Sequence, residues 1–467
     1  MKSIVFCILF CYTSLWSFSQ HRHHGHKVIN NSDSLSSSLG RDLDKGTFEF
    51  HKRSFFMQTI NKGDLMNYNA LASGAGLGYY SPSWKGFHIG FSGFFVFQLF
   101  ENNIYKADTI TNNTNRYEIL LFDMNDFENK RDLDRLEEFY FTYEQKRFFA
   151  IMGRQKFESP LLNEQDNRMR ANLYNGLSVS YSDSLWSVTG AWFKDVTIRG
   201  TVDWYSIEES YGVYPFGRNP FGTASGYKDE ISTKGIGVLG AKYKTKNKKN
   251  KSEIWNYFNE NVFNLTFAQT EFKLPVKSWE LLLGGQGFYQ TAINYGGNEN
   301  QLKTYILKNE STYGYGSRVG IQKGKHSVTL NYLGISDQGR FLFPREWGRE
   351  QFFATLPRER FEGAGAVNAL MMKYTYKIPD KGWEFFIGAS KVDHANLEEY
   401  RHNKYGIPSY FHAVASVDYK FKGYLEGMDI RFFVANKTAQ NPKEIPDEYR
   451  INRVDLWNFN LIIDYRF

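Results

Sequence analysis

The sequence predicts an all-β chain: a transmembrane antiparallel β-barrel of about 18 strands, with long extracellular loops and short periplasmic turns. Three observations carry this. The chain ends on an alternating strand, period-two segments of membrane-spanning length recur along it, and the connections between them alternate between short and long. Over 455–467, Trp457, Phe459, Leu461, Ile463, Tyr465 and Phe467 share one parity, while Asn458, Asn460, Asp464 and Arg466 share the other. A spanning sheet must pair its last strand with its first, because an open edge would leave backbone groups unsatisfied in hydrocarbon.

At the amino terminus, Lys2 precedes an apolar run over 4–18 with small residues at Ser17 and Ser19, which predicts a secretory signal over 1–20. The run is too short to span as a helix, and no other stretch approaches the ~20 apolar residues a spanning helix needs. Both cysteines, Cys7 and Cys11, lie inside this signal, so the processed chain carries no thiol, and disulfides and cysteine metal sites are excluded. The residues before Cys11 lack the small side chains of a lipoprotein site. Residues 21–45 form a His- and Ser-rich periplasmic extension. Its His21, His23, His24 and His26 are of the right chemistry for weak capture of zinc, copper or nickel. The Ser-rich stretch 32–39 and the lack of fixed partners for the imidazoles favour a solvated tail instead.

The barrel occupies 46–467. Aromatics make up 18% of the chain, with 40 glycines and 11 prolines, yet mean hydropathy is negative. A barrel produces that mixture because only alternate residues of each strand meet lipid. A soluble β-protein would share the composition, so the placement of the aromatics decides. In chain order the period-two segments are 47–59, 70–80, 87–100, 135–144, 147–155, 174–183, 185–197, 234–244, 252–258, 261–273, 277–292, 312–323, 325–336, 366–377, 382–393, 408–421, 428–437 and 455–467. Their number is even, as in single-chain bacterial barrels. Phe87, Ile89, Phe91, Phe95, Phe97 and Leu99 oppose His88, Gly90, Ser92 and Gln98; Phe411, Val417, Tyr419 and Phe421 oppose His412, Ser416, Asp418 and Lys420. Repeated aromatic strand ends predict interfacial girdles.

Tight turns fall at 82–86, 144–147, 182–185, 275–278, 323–325, 379–382 and 423–427, and long polar loops at 101–134, 156–173, 198–233, 293–311, 337–365, 394–407 and 438–454. Such alternation places every second connection in the periplasm. The Lys-rich run 246–252 and the very short connection near 259–261 depart from it, and leave the strand count open there.

After the fifth segment the chain reads Gly153, Arg154, Gln155, then Ser159, Pro160, Leu161, Leu162, Asn163, then Asp166, Asn167, Arg168, Met169, Arg170, and Asn172, Leu173, Tyr174, Asn175, Gly176. This stretch resembles the third-loop signature of the OprD-like porins, and 257–263 resembles another recurring piece of that family. The extension 21–45 has no counterpart in the family pattern. The resemblance implies an eighteen-stranded porin whose third loop folds into the lumen and passes small polar solutes, amino-acid-like or carboxylate-bearing, by passive and modestly selective diffusion. It also implies that 156–173 is the constriction, with Glu158, Glu164, Asp166, Arg168 and Arg170 at the eyelet, facing a basic ladder on the wall. Opposed charges in a narrow pore set selectivity through the local field.

Parity supplies the candidate wall: Arg53, Arg154, Lys242, Arg318, Lys373, Arg431 and Arg466 share the polar faces of their strands. Facing lipid near mid-bilayer, each would cost ~2–4 kcal/mol, so an inward orientation is expected. At Arg154 this makes Phe149 and Ile151 the lipid-facing pair. The plainer alternative is that such residues hydrate the lumen or sit at its rims.

No enzyme is expected, since the histidines show no spacing that ties them to a serine, and neither a His-Glu-x-x-His zinc pattern nor a phosphate loop occurs. The glycines of 235–240 lie in a strand-like segment and are read as packing glycines. No cofactor is implied. The net charge of +7 is spread along the chain without a nucleic-acid motif. The expected partners are small polar solutes, outer-membrane lipids and the barrel-assembly machinery, in the outer membrane of a Gram-negative bacterium. A homo-oligomer stays open. The rival readings are a structural or secretion-associated barrel, and a metal-linked channel using the His-rich amino terminus. An energised receptor is disfavoured, because about 25 residues before the first strand cannot make a plug.

Overall fold

Alternation along each segment determines which side chains meet lipid and which meet the interior, and the strands follow it closely. The computed structural model describes residues 46–130, 132–215 and 217–467, so the signal, the extension 21–45 and His21, His23, His24 and His26 lie outside the described residues. In chain order the strands are β1 (Thr47–Asn61), β2 (Tyr68–Tyr80), β3 (Phe87–Asn102), β4 (Asp134–Gln145), β5 (Phe148–Gln155), β6 (Leu173–Ser182), β7 (Trp186–Thr197), β8 (Trp204–Ser206), β9 (Ile236–Lys244), β10 (Lys251–Asn259), β11 (Phe263–Val276), β12 (Trp279–Ala292), β13 (Ser311–Lys323), β14 (His326–Ile335), β15 (Val367–Ile378), β16 (Trp383–Asp393), β17 (Tyr410–Lys420), β18 (Met428–Ala439) and β19 (Leu456–Arg466). All belong to one sheet in which neighbours run antiparallel. The three-residue β8 only extends the end of β7, whose longer part pairs with β9. The other eighteen strands close the barrel.

Closure occurs between β1 and β19, in register from His51 opposite Arg466 to Asn61 opposite Leu456. Reciprocal backbone bonds between Phe50 and Phe467, 2.9 and 3.1 Å, complete the seam at the final residue. The pairing removes the two edges that β1 and β19 would otherwise present to lipid.

On β3 the residues Phe87, Ile89, Phe91, Phe95, Phe97 and Leu99 are exposed on the outer wall, while His88, Phe94 and Val96 are buried inside. On β19 Trp457 faces out, and Asn458 and Asn460 are fully buried in the interior. The run 235–240 serves packing. A Cβ on Gly240 would stand 2.3 Å from the Trp255 ring, so only glycine leaves room for that indole inside the wall.

The uncertain region around 245–262 contains two full strands, β10 pairing along its length with both β9 and β11. Two of the outer connections, 62–67 and 260–262, are short, so the alternation of connection length is broken there. Three of the long outer loops, 103–133, 156–172 and 336–366, turn inward. Leu121, Phe122, Leu161, Leu162, Trp347, Phe352 and Phe361 come from loops, and they form one buried cluster with inward wall residues such as Phe55, Tyr174 and Trp255. The core of this molecule is therefore inside the barrel and built largely by its loops. No helix of the described residues is long and apolar enough to cross a membrane.

Candidate functional site

Residues 156–172 join β5 to β6, and their apolar content decides their course. Phe157, Leu161, Leu162 and Met169 are all buried. Burying side chains of this size stabilises by ~1.5–3 kcal/mol each, and only the barrel interior offers them cover. Phe157 packs edge-on against Phe193, 4.9 Å between centroids, and against Tyr174. The backbone is then tied down. The Tyr257 hydroxyl donates to Ser159 Oγ at 2.9 Å and accepts from the Leu161 amide at 3.2 Å. The Tyr174 hydroxyl bonds the carbonyls of Asn163 and Trp347.

A second inward loop, 336–366 between β14 and β15, lies against the first. Asn163 Nδ2 donates to the Arg349 carbonyl at 2.8 Å, and its Oδ1 accepts from the Arg349 amide at 3.1 Å. The contact is so close that a Cβ on Gly348 would stand 2.2 Å from the Leu161 carbonyl oxygen. Chain at this position has to be glycine.

One side of the first loop is acidic. Asp166 is gripped by both Nη atoms of Arg53, which also donates its Nε to Asp464 at 2.7 Å, and Arg466 lies 3.7 Å away. Burial alone would raise the Asp166 carboxyl, but the Arg53 guanidinium outweighs it and brings the pKa down to about 2. Glu158 and Glu164 behave oppositely. Burial, then the Glu164 charge, pushes Glu158 up to about 8. Burial likewise raises Glu164 to about 7 against the pull of Lys156. The three carboxylates of one loop thus differ in charge near neutral pH.

The other side is basic. Arg168 is buried, and burial followed by the Arg358 and Arg199 guanidiniums lowers its basicity. Burial lowers Arg349 and Arg360 as well, against the pull of the Glu350 carboxylate, and the same Arg199 adds to the lowering. These five arginines are held by neutral groups. Arg358 Nε donates to Asn458 Oδ1 at 2.8 Å, Arg360 Nη2 to Gln165 Oε1 at 2.6 Å, Arg349 Nη2 to the Leu356 carbonyl at 2.6 Å, and Arg199 Nε to the Tyr214 hydroxyl at 3.3 Å. Arg168 Nη1 donates to the Asn167 carbonyl at 2.7 Å. Among the described residues none of the five makes an ion pair. Arg168 Nε and Arg360 Nη1 are buried with no hydrogen-bond partner. Glu118 and Glu350 act on them only from beyond ion-pair reach, and clustered guanidiniums with spare donors attract anions.

The sequence-based candidates divide accordingly. Arg170 points away, its Nη atoms donating to the carbonyls of Leu133 and Phe122, so it anchors the 103–133 loop. Arg53, Lys242, Arg318, Lys373, Arg431 and Arg466 carry the inward parity. Arg53 and Arg466 meet the inward loop, and Lys242 lies 4.0 Å from Glu253 within the field of Glu158. Arg318 pairs with Glu271 at 2.8 Å and lies over Phe353 of the second loop. Lys373 stands over Phe386, and Arg431 pairs with Asp418, both away from the loop.

Arg154 departs from expectation. It stands opposite Phe139 and shares a face with Met152 and Phe148, all exposed on the outer wall, whereas Ile151 is buried inside. Its guanidinium lies 4.6 Å from the Trp204 ring of β8. It caps the outer rim, where an interfacial cation beside an aromatic is tolerated. The lipid-facing pair is therefore Phe148 and Met152, not Phe149 and Ile151.

Arg199, Arg349, Arg358 and Arg360 escape a parity argument because they sit on loops. The available signal is the density of Arg345, Arg349, Arg358 and Arg360 among the aromatics of 341–361. Among the described residues no group of three or more His, Cys, Asp or Glu is placed to hold a metal.

Over residues 150–396 the chain matches the family model described as outer membrane porin, OprD family. No curated protein sequence matches. Among solved structures it is similar to Pseudomonas aeruginosa OccK9 (OpdG), at TM-score 0.70 and 12% identity, over 91% of this chain and 99% of that one. Acinetobacter baumannii OccAB4 superposes at TM-score 0.69 and 14% identity, over 91% and 98%. Pseudomonas aeruginosa OpdK, solved with vanillate, does so at 0.68 and 13%, over 90% and 98%. At these identities the likeness concerns the fold.

Proposed function

This chain belongs to the OprD family of outer membrane porins, and from that premise we propose that it passes small carboxylate-bearing solutes, amino-acid-like compounds among them, by passive and modestly selective diffusion. The observation that carries the reading is the group Arg168, Arg199, Arg349, Arg358 and Arg360, held by amides, carbonyls and a hydroxyl with no carboxylate in ion-pair reach among the described residues. A solute carboxylate entering their field exchanges part of its hydration for planar guanidinium donors. Several such donors in succession favour entry without trapping the solute, as conduction requires. On the opposite side of the same loop, Glu158 and Glu164 offer negative charge when ionised, and the amine end of an amino-acid-like solute is suited to that side. Vanillate, the compound in the OpdK structure, is itself a carboxylate.

The test is the reversal potential of the purified protein in planar bilayers across a salt gradient, together with swelling of proteoliposomes in benzoate and in benzamide. Wild type is expected to favour anions, and Arg358→Ala with Arg360→Ala to lower that preference while the barrel stays closed. An unchanged reversal potential in the folded double variant would remove the arginines from the pathway.

A further inference from the structure

On the outer wall, the lipid-facing rows of β14 to β17 are interrupted by a hollow of about 340 Å³. Ala389 of β16 stands directly opposite Ala413 of β17, and both are exposed. In the same row Met372 and Leu330 continue across β15 and β14, and one row higher Leu370 and Phe411 flank Lys391. Two adjacent alanines among large neighbours leave the wall concave at this point. Its lining is almost wholly apolar. Such a space stays dry, so in a bilayer it holds a hydrocarbon chain.

The height of the hollow narrows what that chain belongs to. The outward residues of β16 run Trp383, Phe385, Ile387, Ala389 and then Lys391 and Asp393, from the periplasmic end upward. The change from apolar to charged marks the extracellular limit of the hydrocarbon, just above the hollow. Lys391 Nζ lies 2.9 Å from Asp393 Oδ2, with both side chains about half exposed. Asp393 also accepts from Gln440 Nε2 at 3.0 Å, so its charge is shared. Of the three ammonium donors, two are left for a further acceptor. Asn436 and Thr438, joined at 3.0 Å, extend the polar rim beside it.

An apolar hollow under a cationic rim in the outer leaflet is complementary to an acylated, phosphorylated glycolipid. We infer that the hollow binds one acyl chain of such a lipid, with its phosphate on Lys391. This site is separate from the lumen and independent of what passes through it.

Native mass spectrometry of the full-length protein in detergent, titrated separately with lipid A and with phosphatidylglycerol, tests this. Wild type is expected to retain one lipid A in preference to phosphatidylglycerol. Ala413→Phe, which fills the hollow, should weaken retention more than about tenfold, by the burial lost per methylene. Lys391→Gln should weaken it roughly fivefold, the contribution of one lysine beside an anionic head group. Both variants should still migrate faster unboiled than boiled, as closed barrels do. Retention unchanged in either variant overturns the inference, as does equal retention of phosphatidylglycerol. A dimer that Ala413→Phe dissolves overturns it in favour of a protein contact.

Discussion

Arg53 on the first strand and Asp166 on the inward loop form a two-pronged ion pair, and the same guanidinium holds Asp464 on the last strand. One side chain therefore fixes the loop to the seam at which the barrel closes. Asp166→Asn, which keeps shape and removes charge, should loosen the loop and increase open-channel noise in single-channel recordings. Arg53→Ala leaves two carboxylates facing each other and should cost ~3–5 kcal/mol of barrel stability, read as a lower temperature of gel-mobility conversion. Quiet channels in Asp166→Asn would show that the apolar anchors suffice.

Glu158 and Glu164 titrate near neutrality, at about 8 and about 7. Both values are raised, so the neutral forms dominate at pH 6 and the ionised forms at pH 9. Raising pH across this window adds negative charge to the inward loop and should shift the reversal potential toward cations. In Glu158→Gln with Glu164→Gln the shift should vanish. A pH response that survives in the double variant places its origin elsewhere.

Glu362 is buried between Arg345 at 2.8 Å, Lys404 at 3.0 Å and the Tyr405 hydroxyl at 2.7 Å, and it accepts from Tyr305 at 3.2 Å. It joins the 336–366 loop to the outer loops 394–409 and 293–310. Glu362→Gln strands two buried cations and should loosen these loops by ~3–5 kcal/mol. Limited proteolysis of intact proteoliposomes should then cut within 394–409 while β-sheet content, by circular dichroism, is unchanged. Equal protease resistance would mean the apolar packing holds the loops alone.

Arg154→Ala should leave ion selectivity unaltered, because the side chain is on the outer rim. It should slightly lower thermal stability, since a cation over an exposed aromatic is worth ~0.5–1 kcal/mol. A change in reversal potential would return Arg154 to the lumen.

The barrel was legible because most strands distribute residues unequally between their faces. Phe91 against His88, or Trp457 against Asn458, leaves one reading. On β5 the faces are alike: Phe148 and Met152 on one, Phe149 and Ile151 on the other. Parity cannot orient such a strand, and Arg154 was misplaced for that reason. The inward loop was recognisable through its resemblance to a family signature, but whether each charge points into the pore depends on partners far along the chain. Arg170 is spent on the carbonyls of Leu133 and Phe122, which no local pattern shows. Arg349 and Arg358 lie on a loop without periodicity, and they reach the site only because Trp347 and Phe361 bury themselves in the interior.

The seam joins side chains 411 residues apart in the chain, and its final backbone bonds use Phe467. β19 must therefore be made before the second edge of the first strand can be paired. Until then β1 carries an unpaired edge, a feature prone to wrong association. The pairings of consecutive strands, such as β1 with β2 and β18 with β19, do not wait for that closure. Because Asp166 reaches across that junction to Arg53 and Arg466, the inward loop gains its full anchor only when the cylinder closes.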